Sequence, residues 1–360
     1  MAPQLKTEEK NIICSAKPGY QYPNISVAEY IANQVTQIDG SVPAIVRQFF
    51  RQKYKQLSLN ISRKPLQVNP SDDTLLTYED FHKQAQQFAS ALLSFGAVQG
   101  NLVVFFAENS AQLVVAFFGA VYLGLPICPL PPSNGPYELT NYIRDASGAI
   151  LVFGSDKRET ILKACNDPKY SKTMAQLKIL IQLETEEDLL EHEILSVAVV
   201  KSFTSALNNF KTTSTLPSIP YFTPVDLKKS HFCLCFTSGT TGSPKAAVHS
   251  NRSFLAMLMK TQMGEKDKRE HVLQWHPLGH MSGLFMIFHC IYSGKSVVLH
   301  RSGHLESLLA SVEKYKLVYM VSFKTFLKHS LTKLCFLFFS PSLPATPLKC
   351  WPKTTRSSSI

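Results

Sequence analysis

An uncharged, apolar run from Ser110 to Leu130 constrains the fold of this 360-residue chain more than any other feature. Its length raises the question of a membrane crossing, which needs about 20 apolar residues. Glycines and prolines interrupt the run, and these residues mark helix ends and turns. The run therefore predicts a buried helix over Ala111–Leu123 and a buried strand over Leu125–Leu130, and it predicts no transmembrane segment.

The segments around this run alternate between helix and strand patterns. Thr77 and Asp80 have the spacing of a helix cap, and apolar residues from Phe81 to Phe95 then recur at helical intervals. Leu102–Ala107 has the continuous apolar pattern of a buried strand. Nearer the N-terminus, Val27–Arg51 predicts two short helices. Strands alternating with helices along the chain predict an α/β fold with a parallel sheet.

Composition narrows the class of protein. With 45% hydrophobic and 18% charged residues, the chain can bury a sizeable core. The net charge of +11 is concentrated in residues 314–360, which carry eight Lys or Arg and no Asp or Glu. We therefore expect no nucleic-acid partner from the fold as a whole. The eight cysteines form no CxxC pair, and the N-terminus lacks an apolar signal segment. These features predict a cytoplasmic protein.

A loop rich in glycine and hydroxyl side chains is the first candidate site. It follows an apolar strand, Phe232–Phe236, and precedes a segment, Ala246–Lys260, that predicts a helix. Glycine lets backbone N–H groups approach an anion, a helix N-terminus favours negative charge, and a lysine adds a cation. The candidate phosphate-binding residues are Thr237, Ser238, Gly239, Thr240, Thr241, Gly242, Ser243 and Lys245. The alternative is an ordinary strand-to-helix turn.

The nine residues TSGTTGSPK resemble the phosphate-loop signature of the adenylate-forming (AMP-binding) superfamily. That superfamily contains acyl-CoA synthetases, 4-coumarate–CoA ligases, beetle luciferases and peptide-synthetase adenylation domains. The resemblance implies that this loop holds the phosphates of ATP, with Lys245 as a catalytic contact. Ala246 departs from the family pattern, which has glycine there.

A second motif resembles the same family. Pro277, His280 and Gly283 match its proline–x–x–histidine–x–x–glycine pattern, which implies that His280 lies beside the adenylation site as a second catalytic residue. The alternative is a histidine that only packs near a helix start. His276 and His280 also have a zinc-like spacing. Proline and glycine between them interrupt a regular helix and no further ligands follow, so we predict no metal site.

The resemblance also implies a reaction and its substrates. A carboxylic acid attacks the α-phosphate of ATP, which is bound with Mg²⁺, and pyrophosphate leaves as the acyl-adenylate forms. The thiol of CoA then takes the acyl group. The identity of the acid stays open, because the segments that shape its pocket have no match in this sequence.

The resemblance covers residues 27–330 and predicts the organisation of the chain. We expect a partial adenylate-forming N-terminal domain, with two parallel-rich sheets flanked by helices and no C-terminal lid domain. Its segments are a loosely ordered 1–26, a first α/β subdomain over 27–225, an incomplete second one over 226–330 that holds the phosphate loop, and an unrelated tail, 331–360.

Three functions follow from this organisation. The first is an acid–thiol ligase, which we expect to be impaired or inactive because the later family motifs and the lid lysine have no match. The second is a non-catalytic truncated isoform that binds nucleotide or a partner. The third is a basic module for nucleic acid or anionic membrane, based on the C-terminal charge. A full-length form could be peroxisomal, although this sequence ends without a peroxisomal tripeptide.

Overall fold

The computed structural model describes residues 22–47, 74–185, 199–208, 210, 218–236, 245–260, 271–300 and 311. The helices in these ranges are α1 (Val27–Val35), α2 (Tyr78–Ser94), α3 (Ala111–Leu123), α4 (Pro136–Ala146), α5 (Arg158–Asn166), α6 (Ser171–Met174), α7 (Phe203–Asn208), α8 (Asn251–Lys260) and α9 (Met281–Tyr292). The strands are β1 (Pro43–Arg47), β2 (Thr74–Thr77), β3 (Leu102–Phe106), β4 (Ile127–Pro129), β5 (Gly148–Phe153), β6 (Ile179–Gln182), β7 (Val199–Ser202), β8 (His231–Phe236), β9 (Ala246–Ser250), β10 (His271–Gln274) and β11 (Ser296–Leu299).

The strands form two mostly parallel sheets. The smaller sheet has the order β10-β11-β1-β2, and only its β1–β2 pair is antiparallel. The larger sheet has the order β7-β6-β5-β3-β4-β8-β9, and only its β8–β9 pair is antiparallel. Helices cover these sheets, as parallel sheets require. The predicted α/β class with two parallel-rich sheets is confirmed.

The central strand β3 of the larger sheet is buried on both faces. Val103 and Phe105 of β3 belong to an apolar core that also includes residues of α1, α2, α3, α9 and β11. Val104 and Phe106 belong to a second core with residues of α4 and α5. The first core therefore joins both sheets through the helices, and the second covers the outer face of the larger sheet.

The uncharged run folds as predicted. Helix α3 spans Ala111–Leu123, and the side chain of Ser110 caps it by accepting a hydrogen bond from the Leu113 amide. Gly124 ends it with a φ of +80°, where an added Cβ would lie 2.2 Å from the Phe222 carbonyl oxygen. Strand β4 follows inside the predicted range. Among the described residues, no helix has the length and apolarity needed to cross a membrane.

Of the two short helices predicted near the N-terminus, the structure agrees with only the first. The first of the two short helices is α1, capped by the Ser26 side chain, which accepts from the Glu29 amide at 3.1 Å. The second is wrong, because Pro43–Arg47 forms strand β1. This strand lies between β2 and β11, and its pairing with them outweighs the weak local helical pattern. Proline at the first position of a strand is compatible with such pairing.

Both sheets draw strands from both sides of residue 225. Strands β1 and β2 share the smaller sheet with β10 and β11, while β8 and β9 extend a sheet begun by β3 to β7. The subdomain boundary at residue 225 stays a prediction.

Candidate functional site

The carboxyl ends of β3, β4 and β8 lie next to one another along one edge of the larger sheet. These strands are parallel and adjacent, so the segments that follow them emerge on the same side. Ligands of open α/β sheets bind outside this edge. The predicted phosphate loop follows β8, so it leaves the sheet at this edge.

The ends of the predicted phosphate loop are defined by strand pairing. Residues 237–244 lie outside the described residues, and with them the candidate contacts from Thr237 to Ser243. Phe236 before the segment pairs with Ala246 after it. Lys245, the last residue of the candidate site, is exposed at this end of β9. The segment therefore connects two adjacent antiparallel strands.

The prediction of a helix directly after this loop is wrong for its first five residues. Ala246–Ser250 forms β9, which pairs along the edge of β8, and α8 begins only at Asn251. A strand of five residues is about 17 Å long. The N-terminus of α8 therefore lies at the opposite end of β9 from Lys245 and cannot contribute its dipole to the loop.

Helix α9 begins at the second motif instead. His280 is its N-cap, with an extended backbone and an exposed side chain. The His280 amide donates to the Pro277 carbonyl at 3.0 Å, and its carbonyl accepts from the Leu284 amide at 2.9 Å. The N–H groups of a first helical turn have no partners within the helix, and the dipole there favours an anion. The positive N-terminal end of α9 therefore lies at His280, whereas the N-terminal end of α8 lies away from the loop.

Two close contacts place the His280 turn at the same edge of the sheet as the loop. The thiol of Cys235, near the end of β8, lies 3.5 Å from the sulfur of Met281. A Cβ added to Gly279 would lie 2.1 Å from the carbonyl oxygen of Leu130, just after β4. The structure therefore brings together the ends of the two motifs, which are separated by more than thirty residues in sequence.

The glycine spacing of the second motif has a steric cause. A Cβ on Gly283, in the first turn of α9, would lie 2.2 Å from the Pro277 carbonyl oxygen. Real Cβ atoms do not approach backbone oxygen this closely, so the turn from Pro277 into α9 needs glycine at this position. Together with Gly279, it allows the chain to fold tightly on both sides of His280.

The side chain of Asn109, which the sequence analysis did not identify, holds the turn before α9 by hydrogen bonds. It follows β3 and is 4% exposed. Its amide nitrogen donates to the carbonyls of His276, at 2.9 Å, and His300, at 3.1 Å. Its oxygen accepts from the Leu278 amide at 2.8 Å. An asparagine three residues after a buried strand was the available signal, but its distant partners could not be read from the sequence.

Three cysteines beside the site, Cys128, Cys233 and Cys235, are buried. Burial raises the pKa of the Cys128 thiol, and a hydrogen bond that Cys233 donates to Cys235, together with burial, raises the pKa of Cys233. Both thiols are therefore neutral at pH 7, as buried cysteines commonly are. The same hydrogen bond lowers the pKa of Cys235, which accepts it. The burial of Cys233 and Cys235 agrees with the sequence-based interpretation of both as packing residues.

The zinc-like pair does not form part of a metal cluster. His276 is buried and stacks near Trp275, with ring centroids 4.1 Å apart, whereas His280 is exposed. Across the described ranges, no group of three or more His, Cys, Asp or Glu side chains is arranged to hold a metal ion.

A family model for AMP-binding enzymes matches residues 57–341, which is more than half of the chain. The chain therefore belongs to the AMP-binding enzyme family.

The curated relatives of this chain include CoA ligases and synthetases. The chain is 23% identical over 270 residues to 4-coumarate–CoA ligase 3 of Arabidopsis thaliana, covering 73% of this chain and 44% of the relative. It is 19% identical over 260 residues to acyl-CoA synthetase 7 of Caenorhabditis elegans, covering 69% and 44%. The chain thus spans less than half the length of these curated relatives.

Solved structures share the fold. A red-emitting luciferase from Phrixothrix hirtus superposes with a TM-score of 0.66 at 16% identity, covering 84% of this chain and 65% of the luciferase. The A domain of a carboxylic acid reductase from Segniliparus rugosus, in complex with AMP and a co-purified carboxylic acid, gives 0.67 at 14% identity, covering 90% and 53%.

Proposed function

We propose that this chain carries the ATP-binding part of an acid–thiol ligase of the acyl-CoA synthetase type. The segment from Thr237 to Lys245 holds the phosphates of ATP, and His280 faces the carboxylic acid and the phosphate that it attacks. ATP, with its Mg²⁺, and CoA are substrates in this scheme.

The observation that carries the proposal is the meeting of the two motifs at one sheet edge. The pairing of Phe236 with Ala246 fixes where the loop leaves and re-enters the sheet. The contact between Cys235 and Met281 places the start of α9 beside it. A polyphosphate bound over this edge would meet the loop, Lys245 and the N-terminal end of α9.

These groups suit the chemistry of adenylation. Negative charge builds up on the phosphates as the carboxylate attacks and pyrophosphate leaves, and preorganised donors and cations stabilise such charge. Lys245 supplies a cation, and the first turn of α9 supplies backbone N–H groups. The exposed His280 ring can donate a hydrogen bond at the point where acid and α-phosphate meet. The remaining contribution is positioning of the two reactants.

The names of the relatives favour CoA as the acceptor of the acyl group. Acyl-CoA synthetase 7, 4-coumarate–CoA ligase 3 and an acetoacetyl-CoA synthetase of Caenorhabditis elegans all carry CoA in their names. The carboxylic acid reductase domain was solved in complex with AMP and a co-purified carboxylic acid. Non-catalytic binding of nucleotide or a partner is the second candidate. The basic-module alternative rests on residues 331–360, which lie outside the described residues.

The first test is a titration of the full chain with MgATP. Lys245→Ala removes a charged donor, so we expect saturable binding in the wild type and roughly 10- to 100-fold weaker binding in the variant. Lys229→Ala is the matched control, because the Lys229 side chain is 88% exposed and precedes the opposite end of β8. Equal affinity in wild type and Lys245→Ala would contradict the proposal.

Pyrophosphate exchange then separates the two candidates. Exchange of labelled pyrophosphate into ATP that depends on an added carboxylic acid would support the ligase. Saturable ATP binding without exchange, across short-chain, fatty and aryl acids, would support a chain that binds nucleotide only.

A further inference from the structure

We propose that Asn109 is the residue that positions His280 for the reaction. This inference rests on the proposed function, but its structural part can be measured without nucleotide. Asn109 does not reach the exposed edge itself. It acts on the backbone turn that ends in His280.

The carboxamide of Asn109 ties three chain segments together. Its two N–H donors go to the carbonyls of His276 and His300, and its oxygen accepts from the Leu278 amide. His276 and Leu278 belong to the turn before α9, and His300 directly follows β11, while Asn109 itself follows β3. One buried side chain thus connects the carboxyl edges of both sheets at the base of the His280 turn.

The neighbouring contacts leave the turn little freedom. Gln274 also donates to the His276 carbonyl, at 2.8 Å. Gly279 lies against the Leu130 carbonyl on the side of β4. With the turn restrained by Gln274 and by Gly279, the hydrogen bond that the Leu278 amide donates to Asn109 sets the distance of the turn from the end of β3. Leu278 precedes His280 by two residues, so a shift there moves the histidine.

Asparagine suits this position better than other side chains. It presents two donors and an acceptor in one plane, which matches two carbonyls and one amide. An apolar residue of similar size would leave those three backbone groups buried without this partner, at a cost in stability. An aspartate would keep an acceptor for the Leu278 amide. Its second carboxylate oxygen would face the carbonyl oxygens of His276 and His300, to which it cannot donate.

The competing explanation is that Asn109 only stabilises the fold, and the chain offers a matched control. Asn251 is also buried, at 7% exposure, and its carboxamide accepts from the Val27 amide and donates to the Ser230 hydroxyl, both at 3.2 Å. It lies at the end of β9 remote from Lys245. Asn251→Leu therefore loses buried hydrogen bonds of the same kind without touching the His280 turn.

The test uses proton NMR of the histidine rings in the full chain, with His280→Gln to assign the His280 Hε1 signal among the eleven histidines. In Asn109→Leu we expect the His280 signal to move, its MgATP-induced shift to be lost and MgATP affinity to fall about tenfold. In Asn251→Leu we expect the His280 signal, its MgATP response and the affinity to match the wild type. A His280 signal and MgATP response in Asn109→Leu equal to those of wild type would overturn the proposal.

Two further measurements keep the test decisive. If Asn109→Leu fails to fold, Asn109→Ala replaces it, and amide exchange of Leu278 in the wild type gives an independent measure. Slow exchange at Leu278 that becomes fast in Asn109→Ala relative to its neighbours would support the inference, because alanine removes the acceptor for this amide, and fast exchange in wild type would overturn it. A wild-type chain that binds no MgATP would instead contradict the proposed function, while the His280 and Leu278 measurements still decide the position of the turn.

Discussion

Single residues at the sheet edge determine whether the candidate site can form at all. His280 is exposed, but the atoms that hold it are buried backbone groups and the small residues beside them. Gly279 and Gly283 allow carbonyl oxygens to approach where any side chain would collide. The position of the His280 side chain thus depends on two glycines that have no side-chain chemistry of their own.

Gly279→Ala tests this dependence. The added methyl group would lie 2.1 Å from the Leu130 carbonyl, which belongs to backbone and cannot move aside freely. We expect a loss of about 3 kcal/mol in the free energy of unfolding, near the upper end for overpacking, measured by urea denaturation.

Gly100→Ala is the matched control for that measurement. Gly100 has a φ of +87° and no atom within 4 Å of an added Cβ, so its substitution adds backbone strain without a collision. We expect a cost of about 1 kcal/mol there. Equal costs at the two positions would show that the close approach to Leu130 does not exist.

At the scale of elements, helix α9 presents His280 at one end and buries a second histidine in its middle. His289 is 1% exposed, and neither of its ring nitrogens has a hydrogen-bond partner within the described part of the chain. Its ring stacks on Phe285, with centroids 5.8 Å apart, and meets Tyr292 edge-on at 5.1 Å. Burial, and secondarily the charge of Lys295, lower the pKa of His289.

The buried His289 predicts a pH dependence of stability. Because its folded-state pKa lies below the unfolded value of about 6.5, the folded chain binds fewer protons than the unfolded chain below that pH. Stability from this group is therefore complete above about pH 6.5 and decreases as pH falls, by at most about 1.4 kcal/mol per pH unit. In His289→Phe, we expect a smaller loss of stability between pH 7.5 and 5.5 than in wild type, measured by urea unfolding.

His231→Gln is the control for this experiment, because His231 is exposed on β8. The pKa values of His82, His249 and His271 are also lowered by burial, so a part of the slope remains in every variant. The same pH slope in His289→Phe and in wild type would rule out His289 as its source.

Elements with local signals were predictable from the sequence, and those that depend on distant pairing were not. The cap at Thr77, which accepts from the Asp80 amide, and the glycine after α3 lie within a few residues of the helices that they bound. Strand β1 is fixed by pairing with β11, and β9 by pairing along β8. The local sequence pattern favours a helix in both places, and the pairing with distant strands overrides this preference.

The same division applies to the candidate site. Lys245 and His280 belong to short motifs that can be identified from the sequence alone. Asn109 bonds to backbone groups 167 and 191 residues away, so its partners cannot be identified from the residues near it in sequence. The sequence predicted a helix N-terminus directly after the loop because strand β9 was not predicted, whereas the structure places a helix N-terminus at His280, where α9 begins.

At the scale of the whole molecule, the two sheets share one core. Phe118 of α3 stacks on Phe288 of α9 with centroids 4.4 Å apart and meets Phe81 of α2 edge-on at 5.0 Å. These helices belong to the core that contains residues of β3 and of β11. Helix α9, which begins at His280, and helix α3, which follows Asn109, therefore pack directly against each other. The arrangement of these two residues at the sheet edge thus depends on how the core is packed.

Hydrogen–deuterium exchange of the full chain with and without MgATP measures the central claim most directly. Two peptides, covering 237–245 and 277–283, report on the two motifs, and a peptide covering 158–174 on the outer face of the larger sheet serves as the control. We predict that MgATP slows exchange in both motif peptides and leaves the control unchanged. Unchanged exchange in both motif peptides at saturating MgATP would contradict the assignment of one nucleotide site to this edge.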